Sequence, residues 1–369
     1  MKAIAGGKIL AGGQVLTGKS LLFSDRILGI VDEVPAGAVV IDAGGLFVSA
    51  GFIDVHTHGI GGHDTMDGQA AVEAMSSSLP KFGVTSFLAT TMTGSKDEIH
   101  GALSGVKTAV SQGASILGAH MEGPFLSAEY KGCHDPQYLL TPSVDFFKEF
   151  TDVVQLVTVA PELPFAKAFI EECKGIGVAV SLGHSNASYD LVMDAAASGA
   201  RSFTHTFNAM RPLLHREPGC VGAAMDSGAF TELICDNLHV LPPLQRILLK
   251  QKGIGKILLV TDAMRAATLE DGEYTLGGLA VTVCGKEARL ADGTIAGSVL
   301  TLNTALSNFI ENTGVPVEQA VLTVTENPAD MLSLTDRGRL AEGMRADILL
   351  FDEKIAVKAT FINGEIYEG

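Results

Sequence analysis

The sequence predicts an α/β protein: a (β/α)8 TIM-like barrel with a small β-sandwich domain formed from both termini. Eight short apolar segments recur at intervals of roughly 20–35 residues through the middle of the chain, separated by helix-forming stretches. Short β-like runs punctuated by glycine occupy both ends. The 369 residues exceed the about 250 that a barrel requires, which leaves room for a small companion domain. A helical bundle and a doubly wound sheet are the alternatives that the pattern alone leaves open.

The two ends of the chain share short β-branched or leucine-rich runs joined by turn residues. Glycine pairs at Gly12–Gly13 and Gly44–Gly45 interrupt the amino-terminal runs, and Asn363–Gly364 forms a hairpin turn near the carboxyl end. Because chain ends commonly lie close together, one domain built from both ends is a simple topology. We therefore predict a small β domain from residues 1–50 and 343–369, and a catalytic barrel from residues 51–342.

The predicted barrel strands carry polar residues where they end. Reactive groups in such barrels lie at the carboxyl ends of the strands, so these side chains are expected to meet at one mouth. The predicted strands are 52–58, 84–91, 115–122, 153–160, 178–184, 202–207, 232–236 running on to 239, and 257–262.

Composition and charge argue against several classes of function. A formal net charge of −16 disfavours nucleic acid and anionic membrane surfaces as partners. The longest apolar stretches fall short of the ~18–20 residues that a membrane span needs, and the amino-terminal residues show no signal-peptide pattern. The five cysteines are widely spaced and form no CxxC pair, which is typical of a reducing compartment. We therefore expect a cytoplasmic enzyme.

Histidines and a carboxylate at the predicted strand ends form a metal-ligand pattern. His56 and His58 lie two positions apart on one strand, so their imidazoles project from the same face. Glu122, His184 and His205 each end another strand, and imidazole together with carboxylate suits Zn²⁺ or Fe²⁺. The alternative, a group of partly buried histidines without partners, is costly. The sequence therefore predicts a divalent metal site.

Asp262 ends the last predicted strand and has a predicted role of its own. A metal ion lowers the pKa of its bound water from about 15.7 to about 7. A carboxylate beside that water takes its proton as a general base and then passes it to a leaving nitrogen as a general acid. The structural alternative is a helix cap, because aspartate often caps helices at strand-to-helix junctions. The neighbouring metal pattern favours catalysis.

Two motifs match catalytic signatures but lack the context that they need. Residues Gly13–Ser20 fit the phosphate-binding pattern GxxxxGK[ST], yet hairpin-like runs flank them instead of a buried strand and a helix. Residues Gly183–Ala187 are close to a nucleophile elbow but end in alanine, and they contain His184. We therefore expect hairpin strands at the first motif, and at the second we expect Ser185 to cap the following helix.

A loop after the His205 strand concentrates positive charge in an acidic chain. It contains Arg211, His215 and Arg216 beside glycine and proline. Arginine offers a forked pair of donors to a phosphate, so this loop is a candidate phosphate-binding segment. A solvated loop with scattered charge is the simpler alternative.

Short sequence blocks follow one another in the order of the predicted strands. The HxH motif of Ala50–Gly59 is widespread, whereas His120-Met-Glu-Gly-Pro-Phe125 and the pair Asn208-Ala-Met210 and Arg216-Glu-Pro-Gly219 are more specific. With them, the chain resembles the N-acetylglucosamine-6-phosphate deacetylases of the amidohydrolase superfamily along nearly its whole length. The further blocks are 131–136, 181–186, 236–239, 260–264 and 295–298.

The resemblance implies roles for individual residues. Glu122, His184 and His205 would hold the main metal ion, and Asp262 would shuttle the proton. Relatives that keep the HxH motif can hold two ions, so His56 and His58 imply one or two ions per subunit. The residues that the resemblance places at the sugar phosphate are Cys133, His134, Asn208, Ala209, Arg216 and His239, with Ile295, Ala296 and Gly297 lining the pocket.

The resemblance also implies an assembly and a reaction. The arginine of the Arg-Glu-Pro-Gly block reaches a neighbouring active site in this family, so Arg216 implies a homodimer. The implied reaction is hydrolysis of N-acetylglucosamine 6-phosphate to glucosamine 6-phosphate and acetate.

Other activities remain as alternatives. The galactosamine epimer is a second possible substrate. A cyclic amide is disfavoured, because Glu122 stands where a metal-bridging carboxylated lysine would be sought. A nucleotide-binding protein that uses Gly13–Ser20 is the alternative outside the enzymes.

Overall fold

Eight parallel strands form a barrel in the middle of the chain, in the computed structural model, which describes residues 1–368. They are hydrogen-bonded in sequence order, and a parallel bridge between Thr57 and Ala263 joins the last strand to the first. The predicted fold class is thereby confirmed, and the bundle and doubly wound alternatives are wrong. The strands are Phe52–Thr57, Val84–Thr91, Ser115–Glu122, Val154–Val159, Ala179–Leu182, Ser202–Phe203, Phe230–Ile234 and Ile257–Val260.

The barrel strands are buried on both faces. Every residue of Val84–Thr91 is buried, as expected for a parallel strand covered by side chains inside and by helices outside. Several strands are shorter than predicted, among them the fifth and the sixth. Ladder pairing in the fifth ends at Leu182, and in the sixth at Phe203. After the carboxyl end of each of these two strands, a residue with positive φ turns the chain away from the sheet. These residues are His184 after the fifth strand and His205 after the sixth.

Helices cover the outside of the barrel and are fixed at their ends by local sequence. Ser95 and Glu98 form a reciprocal capping box at the start of Lys96–Thr108. The predicted cap at Ser185 is wrong: its hydroxyl donates to Glu162 Oε2 at 2.8 Å, and helix Tyr189–Ser198 begins after Ser188. The other helices are Gln69–Ser78, Ala166–Gly175, Gly219–Asp226, Pro242–Lys252, Leu302–Thr313, Val317–Ala320 and Glu326–Leu332.

The chain ends form two further sheets, one from amino-terminal strands alone and one from strands of both ends. Strand Phe47–Ala50 pairs with Ile348–Phe351, and the sheets enclose a core in which Phe23 and Phe361 meet edge to face at 5.7 Å. The one sheet contains Lys2–Ala5, Ser20–Phe23, Ile27–Val31 and Val39–Asp42; the other contains Lys8–Ala11, Gln14–Leu16, Phe47–Ala50, Ile348–Phe351, Val357–Ile362 and Glu365–Ile366.

Residues Gly13–Ser20, which match the phosphate-binding pattern, lie within these sheets. They contribute to strands Gln14–Leu16 and Ser20–Phe23, and no helix starts at Ser20. The glycine loop of a nucleotide site opens a helix, so this segment is a stretch of hairpin strands. The division of the chain at residues 50 and 343 stays a prediction.

An antiparallel sheet that the sequence analysis missed lies between the eighth barrel strand and helix Leu302–Thr313. Its strands are Gly272–Leu276, Leu279–Cys284 and Glu287–Arg289. One face packs on Met92, Met264 and Ala296. The residues on its other face are exposed, so the sequence pattern of this segment resembles that of a loop.

None of the helices in residues 1–368 is long and apolar enough to cross a membrane.

Candidate metal centre and active-site cavity

The predicted site residues meet at the carboxyl-terminal mouth of the barrel. Glu122 is the last residue of its strand, and His184, His205 and Asp262 follow their strands by two positions. The last three have positive φ values of 49°, 28° and 48°. Left-handed backbone is unfavourable for such residues and occurs mainly where a site requires it. The sharp turns direct these side chains across the mouth instead of along the sheet.

Glu122 is the centre of the cluster. Its Oε1 lies 2.9 Å from His205 Nε2, 3.2 Å from His184 Nε2 and 3.6 Å from His56 Nε2. Its Oε2 lies 3.2 Å from His58 Nε2. On the far side, Asp262 Oδ1 lies 3.2 Å from His58 Nε2 and 3.4 Å from His56 Nε2. Two carboxylates and four imidazoles therefore share one buried volume.

The hydrogen bonds behind two of the rings show which nitrogen is free. Nδ1 of His184 donates to the carbonyl oxygen of Tyr130 at 2.8 Å, and Nδ1 of His56 contacts Glu232 Oε2 at 2.9 Å. Since carbonyl and carboxylate oxygens only accept, each Nδ1 carries a proton. In the neutral rings the Nε2 lone pairs then face the oxygens of Glu122, an arrangement that is repulsive unless a cation lies between them.

The ligand atoms fit divalent metal ions. Two sets have all their ligand atoms within 4.8 Å of one another: His56, His58 and Asp262 form one, and Glu122, His134 and His184 form the other. His184 and His205 also place their Nε2 atoms 3.0 Å apart beside Glu122 Oε1. Neutral imidazole and carboxylate at one buried position are the donors that zinc and ferrous iron prefer.

His134 belongs to the second set by distance, although the sequence analysis places it at the substrate. Its Nδ1 accepts the backbone N–H of Thr93 at 3.4 Å and contacts the Thr93 hydroxyl at 2.8 Å. The backbone contact leaves the proton on Nε2, which lies 3.4 Å from Glu122 Oε2. A ring that carries its proton at Nε2 donates a hydrogen bond there and does not ligate, which favours the substrate role.

The carboxylates of Glu122 and Asp262 give the cluster a buried negative charge that requires positive charge nearby. Burial raises the pKa values of Glu122 and Asp262, but the surrounding histidines outweigh it and the net pKa of each is lowered. For His58, burial lowers the pKa, but Asp262 and Glu122 outweigh it and raise the pKa to about 9. Burial prevails at His184 and lowers its pKa to about 4. Without a metal ion, protonated histidines therefore neutralise the two carboxylates.

This balance predicts a pH dependence of the metal-free protein. The pKa of His58 is about 9 in the folded chain and about 6.5 when unfolded. The resulting stabilisation, about 3 kcal/mol, is fully present below pH ~6.5 and is lost as the pH rises through about 9. Urea unfolding of chelator-treated protein at pH 6.5 and pH 9 measures this loss. The metal-loaded protein, in which the ion replaces the proton, is the control, and equal stability of the metal-free protein at both pH values would contradict the prediction.

A cavity of about 300 Å³ lies directly over the cluster. Ile295 and Gly297 line it as predicted, whereas the side chain of Ala296 points away into the hydrophobic cluster beneath the antiparallel sheet. Neighbouring residues of an extended segment face opposite ways, and the placement of Ala296 at the substrate stays a prediction. Arg216 is exposed and outside the cavity of its own chain. The remaining predicted contacts that line it are Cys133, His134, Asn208, Ala209 and His239.

His239 and Cys133 both line the cavity. Nδ1 of His239 donates to Asp236 Oδ2 at 2.6 Å, which leaves Nε2 directed at the cavity. Burial raises the pKa of the Cys133 thiol, so the thiol is neutral and unreactive.

Several residues of the site were not found by sequence reasoning. Tyr130 acts through its backbone carbonyl, which any residue type supplies, so the sequence carries no signal for it. Leu276 reaches the cavity from the missed antiparallel sheet. Asp236 and Glu232 each hold a site histidine, and the available signal was a carboxylate within the apolar run 230–234 and another just after it.

Comparison with known proteins agrees with this geometry. Residues 47–367 match the amidohydrolase family. The N-acetylglucosamine-6-phosphate deacetylase of Bacillus subtilis is 38% identical over 90% of this chain and 86% of its own. The N-acetylgalactosamine-6-phosphate deacetylase of Escherichia coli O157:H7 is 34% identical over 94% of each chain.

Solved structures extend the similarity to the whole fold. The N-acetylglucosamine-6-phosphate deacetylase of Pasteurella multocida superposes with a TM-score of 0.95 at 32% identity and covers 99% of both chains. A D267A mutant of the Mycobacterium smegmatis enzyme, in complex with N-acetyl-D-glucosamine 6-phosphate, superposes with a TM-score of 0.94 at 32% identity over 99% of both chains. The chain therefore belongs to the amidohydrolase family and, within it, to the N-acetylglucosamine-6-phosphate deacetylases.

Proposed function

We propose that the protein hydrolyses the acetamide of N-acetylglucosamine 6-phosphate to glucosamine 6-phosphate and acetate. The observation that carries this proposal is the buried cluster in which free imidazole lone pairs and two carboxylates face one another beneath a sugar-sized cavity. Relatives named for this reaction match the chain over nearly its full length.

The ions would be held by two neighbouring sets of side chains. Glu122, His184 and His205 would hold the first, and His56 and His58 would hold the second beside Asp262. A divalent ion in this position supplies Lewis acidity to the amide carbonyl and acidifies water. We propose Zn²⁺ or Fe²⁺, one or two per subunit, because both metals accept this nitrogen and oxygen donor set.

Asp262 moves the proton of the reaction. Its pKa is lowered by His56 and His58 despite burial, so it is an ionised base at neutral pH. It accepts one proton of the attacking water as the new C–O bond forms. It then delivers this proton to the amide nitrogen as the C–N bond breaks, so that the amine leaves neutral.

Other cavity residues orient the substrate. His239, whose Nδ1–H group donates to Asp236, presents Nε2 as an acceptor to the sugar hydroxyl groups, and His134 presents an N–H group. Asn208 and Ala209 lie in a loop at the end of the sixth strand, and we assign them to the sugar phosphate together with Cys133 and the 295–297 segment. Positioned polar groups of this kind lower the barrier because they need no reorganisation during the reaction.

The epimer N-acetylgalactosamine 6-phosphate is the second candidate substrate, because the Escherichia coli enzyme named for it is 34% identical to this chain. Acetate release from both epimers, measured at equal concentration with purified protein of known metal content, tests the proposal. A higher kcat/KM for the glucosamine compound supports the first candidate, and a higher kcat/KM for the galactosamine compound supports the second. Release from neither epimer by metal-loaded protein would contradict both.

We further propose a homodimer in the cytoplasm, in which the partner subunit's Arg216 binds the phosphate. Arg216 is exposed on a loop that also exposes Leu213 and Leu214, with 50% and 54% of each residue accessible. Exposed leucines beside a free arginine are typical of a surface that a second chain covers. Among residues 1–368, no arginine of the same chain lines the cavity.

Replacing Arg216 by alanine is expected to raise KM for the sugar phosphate about 10–100-fold with little change in kcat. A charged hydrogen bond to phosphate contributes about 1.5–3 kcal/mol, and it holds the substrate equally before and during the reaction. Steady-state kinetics measure this change, with Arg246→Ala on an outer helix as the matched control.

Mixing subunits tests whether the arginine acts across the interface. A heterodimer of the Arg216→Ala and Asp262→Asn chains contains one site with Asp262 and the partner subunit's Arg216. We therefore expect activity at low substrate concentration to exceed that of either variant alone. Absence of this recovery in verified heterodimers would contradict binding across the interface.

A further inference from the structure

Glu232 is a buried carboxylate that the proposed reaction does not use. It lies on the barrel strand Phe230–Ile234, and none of its surface is accessible. Its Oε2 accepts two hydrogen bonds, from His56 Nδ1 at 2.9 Å and from the backbone N–H of His205 at 3.1 Å. Among residues 1–368, its Oε1 has no hydrogen-bond partner. Burial of such a group is costly, so the fold requires a compensating charge nearby.

The two contacts of Oε2 reach both proposed ligand sets. His56 is assigned to the second ion and His205 to the first. Glu232 Oε2 contacts the imidazole ring of His56 and the backbone N–H of His205. The backbone contact holds His205 at its strained φ of 28°. The ring contact fixes the orientation of His56, whose Nε2 atom has no hydrogen-bond partner of its own.

We propose that Glu232 is a positioning residue that makes His56 a metal ligand and thereby decides whether the chain holds a second ion. By accepting the Nδ1 proton, Glu232 keeps the lone pair of His56 on Nε2, which lies 3.4 Å from Asp262 Oδ1 and 3.6 Å from Glu122 Oε1. Hydrogen bonding to a carboxylate also makes the imidazole a stronger donor to a metal. This inference rests on the proposed metal centre.

No other group among the described residues takes this role. The ring of His120 packs edge to face on His56, with centroids 4.6 Å apart, but its Nε2 contacts the hydroxyl of Thr158. Asp54 accepts the backbone N–H of His56 at 3.2 Å and does not contact the ring. Glu232 is therefore the one fixed partner of Nδ1 among residues 1–368, and removing its charge weakens this hydrogen bond.

The test is the metal content of the Glu232→Gln variant, whose side chain has nearly the same shape. Wild-type protein titrated with Zn²⁺ should bind two ions per chain. The variant should bind the second ion about 10–100-fold more weakly and keep the first. Asp347→Asn is the matched control, since it neutralises a buried carboxylate in the sheets at the chain ends and should leave both ions bound.

A double-mutant cycle separates positioning from a structural role. If Glu232 acts through His56, adding Glu232→Gln to a His56→Ala chain should cause no further loss of zinc. Unchanged binding of both ions by Glu232→Gln, or a further loss in the His56→Ala background, would overturn the inference. Wild-type protein that binds one ion at every concentration would also overturn it. Wild-type protein that binds none would overturn the proposed function as well.

A measurement on the wild-type protein covers the case in which the variant does not fold. Long-range nitrogen–proton correlation spectra of the zinc-loaded protein show which ring nitrogen of His56 carries the proton. A proton on Nδ1 supports the inference, and a proton on Nε2 contradicts it.

Discussion

Removal of the divalent ions by a chelator is expected to lower kcat for acetate release at least about 10³-fold. A divalent ion held at the Glu122 cluster would contribute several kcal/mol of transition-state stabilisation, and about 4 kcal/mol corresponds to this factor. Without it, the imidazole protons only neutralise Glu122 and Asp262 and do not polarise the amide. Metal analysis before and after chelation, with activity measured on the same samples, makes the comparison.

Re-addition of Zn²⁺ or Fe²⁺ should restore the rate, which separates loss of the ion from denaturation. Glu122→Gln is the matched genetic test, because it removes the charge at the centre of the cluster while nearly keeping the shape. Its activity should stay low at metal concentrations that saturate the wild type. Chelated protein that contains no detectable metal and retains full activity would contradict the metal mechanism.

Asp262→Asn is expected to lower kcat about 10²–10⁴-fold while KM changes little. Asparagine keeps the shape of the side chain but neither accepts the water proton nor delivers it to the leaving amine, and general acid–base catalysis contributes this range. Asp262 faces His58 at 3.2 Å and lies at the cavity wall, so the loss should fall on the chemical step. Single-turnover acetate release measures it.

Two controls belong to this variant. Its metal content must be measured, because Asp262 also lies among the ligands of the second ion. Asp236→Asn, which weakens the hydrogen bond that orients His239, should reduce activity less than loss of the proton carrier does. Near-normal kcat in a fully metal-loaded Asp262→Asn enzyme would exclude the assigned role.

Much of this architecture could be predicted from sequence because it depends on strong periodic signals. The eight barrel strands are apolar runs covered on both faces, and the polar residues that end them could be identified by position. The convergence of His56, Glu122 and Asp262 then follows from the geometry of a parallel barrel. Their assignment as ligands and proton carrier still depends on the proposed chemistry.

Other features of the structure could not be predicted from the residue types in the sequence. The antiparallel sheet after the eighth barrel strand alternates buried and exposed residues over short strands, which in isolation is also typical of loops. The inward or outward direction of Ala296 depends on the register of that segment, which composition does not fix. The orientation of His184 depends on a main-chain carbonyl, and such a contact leaves no mark on residue type.

The pairing of Phe47–Ala50 with Ile348–Phe351 has a consequence for the synthesis of the chain. The amino-terminal strands leave the ribosome first, but their neighbours in the sheet are made nearly three hundred residues later. Until then, the edge of Phe47–Ala50 that will meet its partner is open, and open strand edges are prone to association with other chains. Contacts so distant in sequence also form slowly. The barrel is therefore synthesised in full before the six-stranded sheet that contains Phe47–Ala50 is complete.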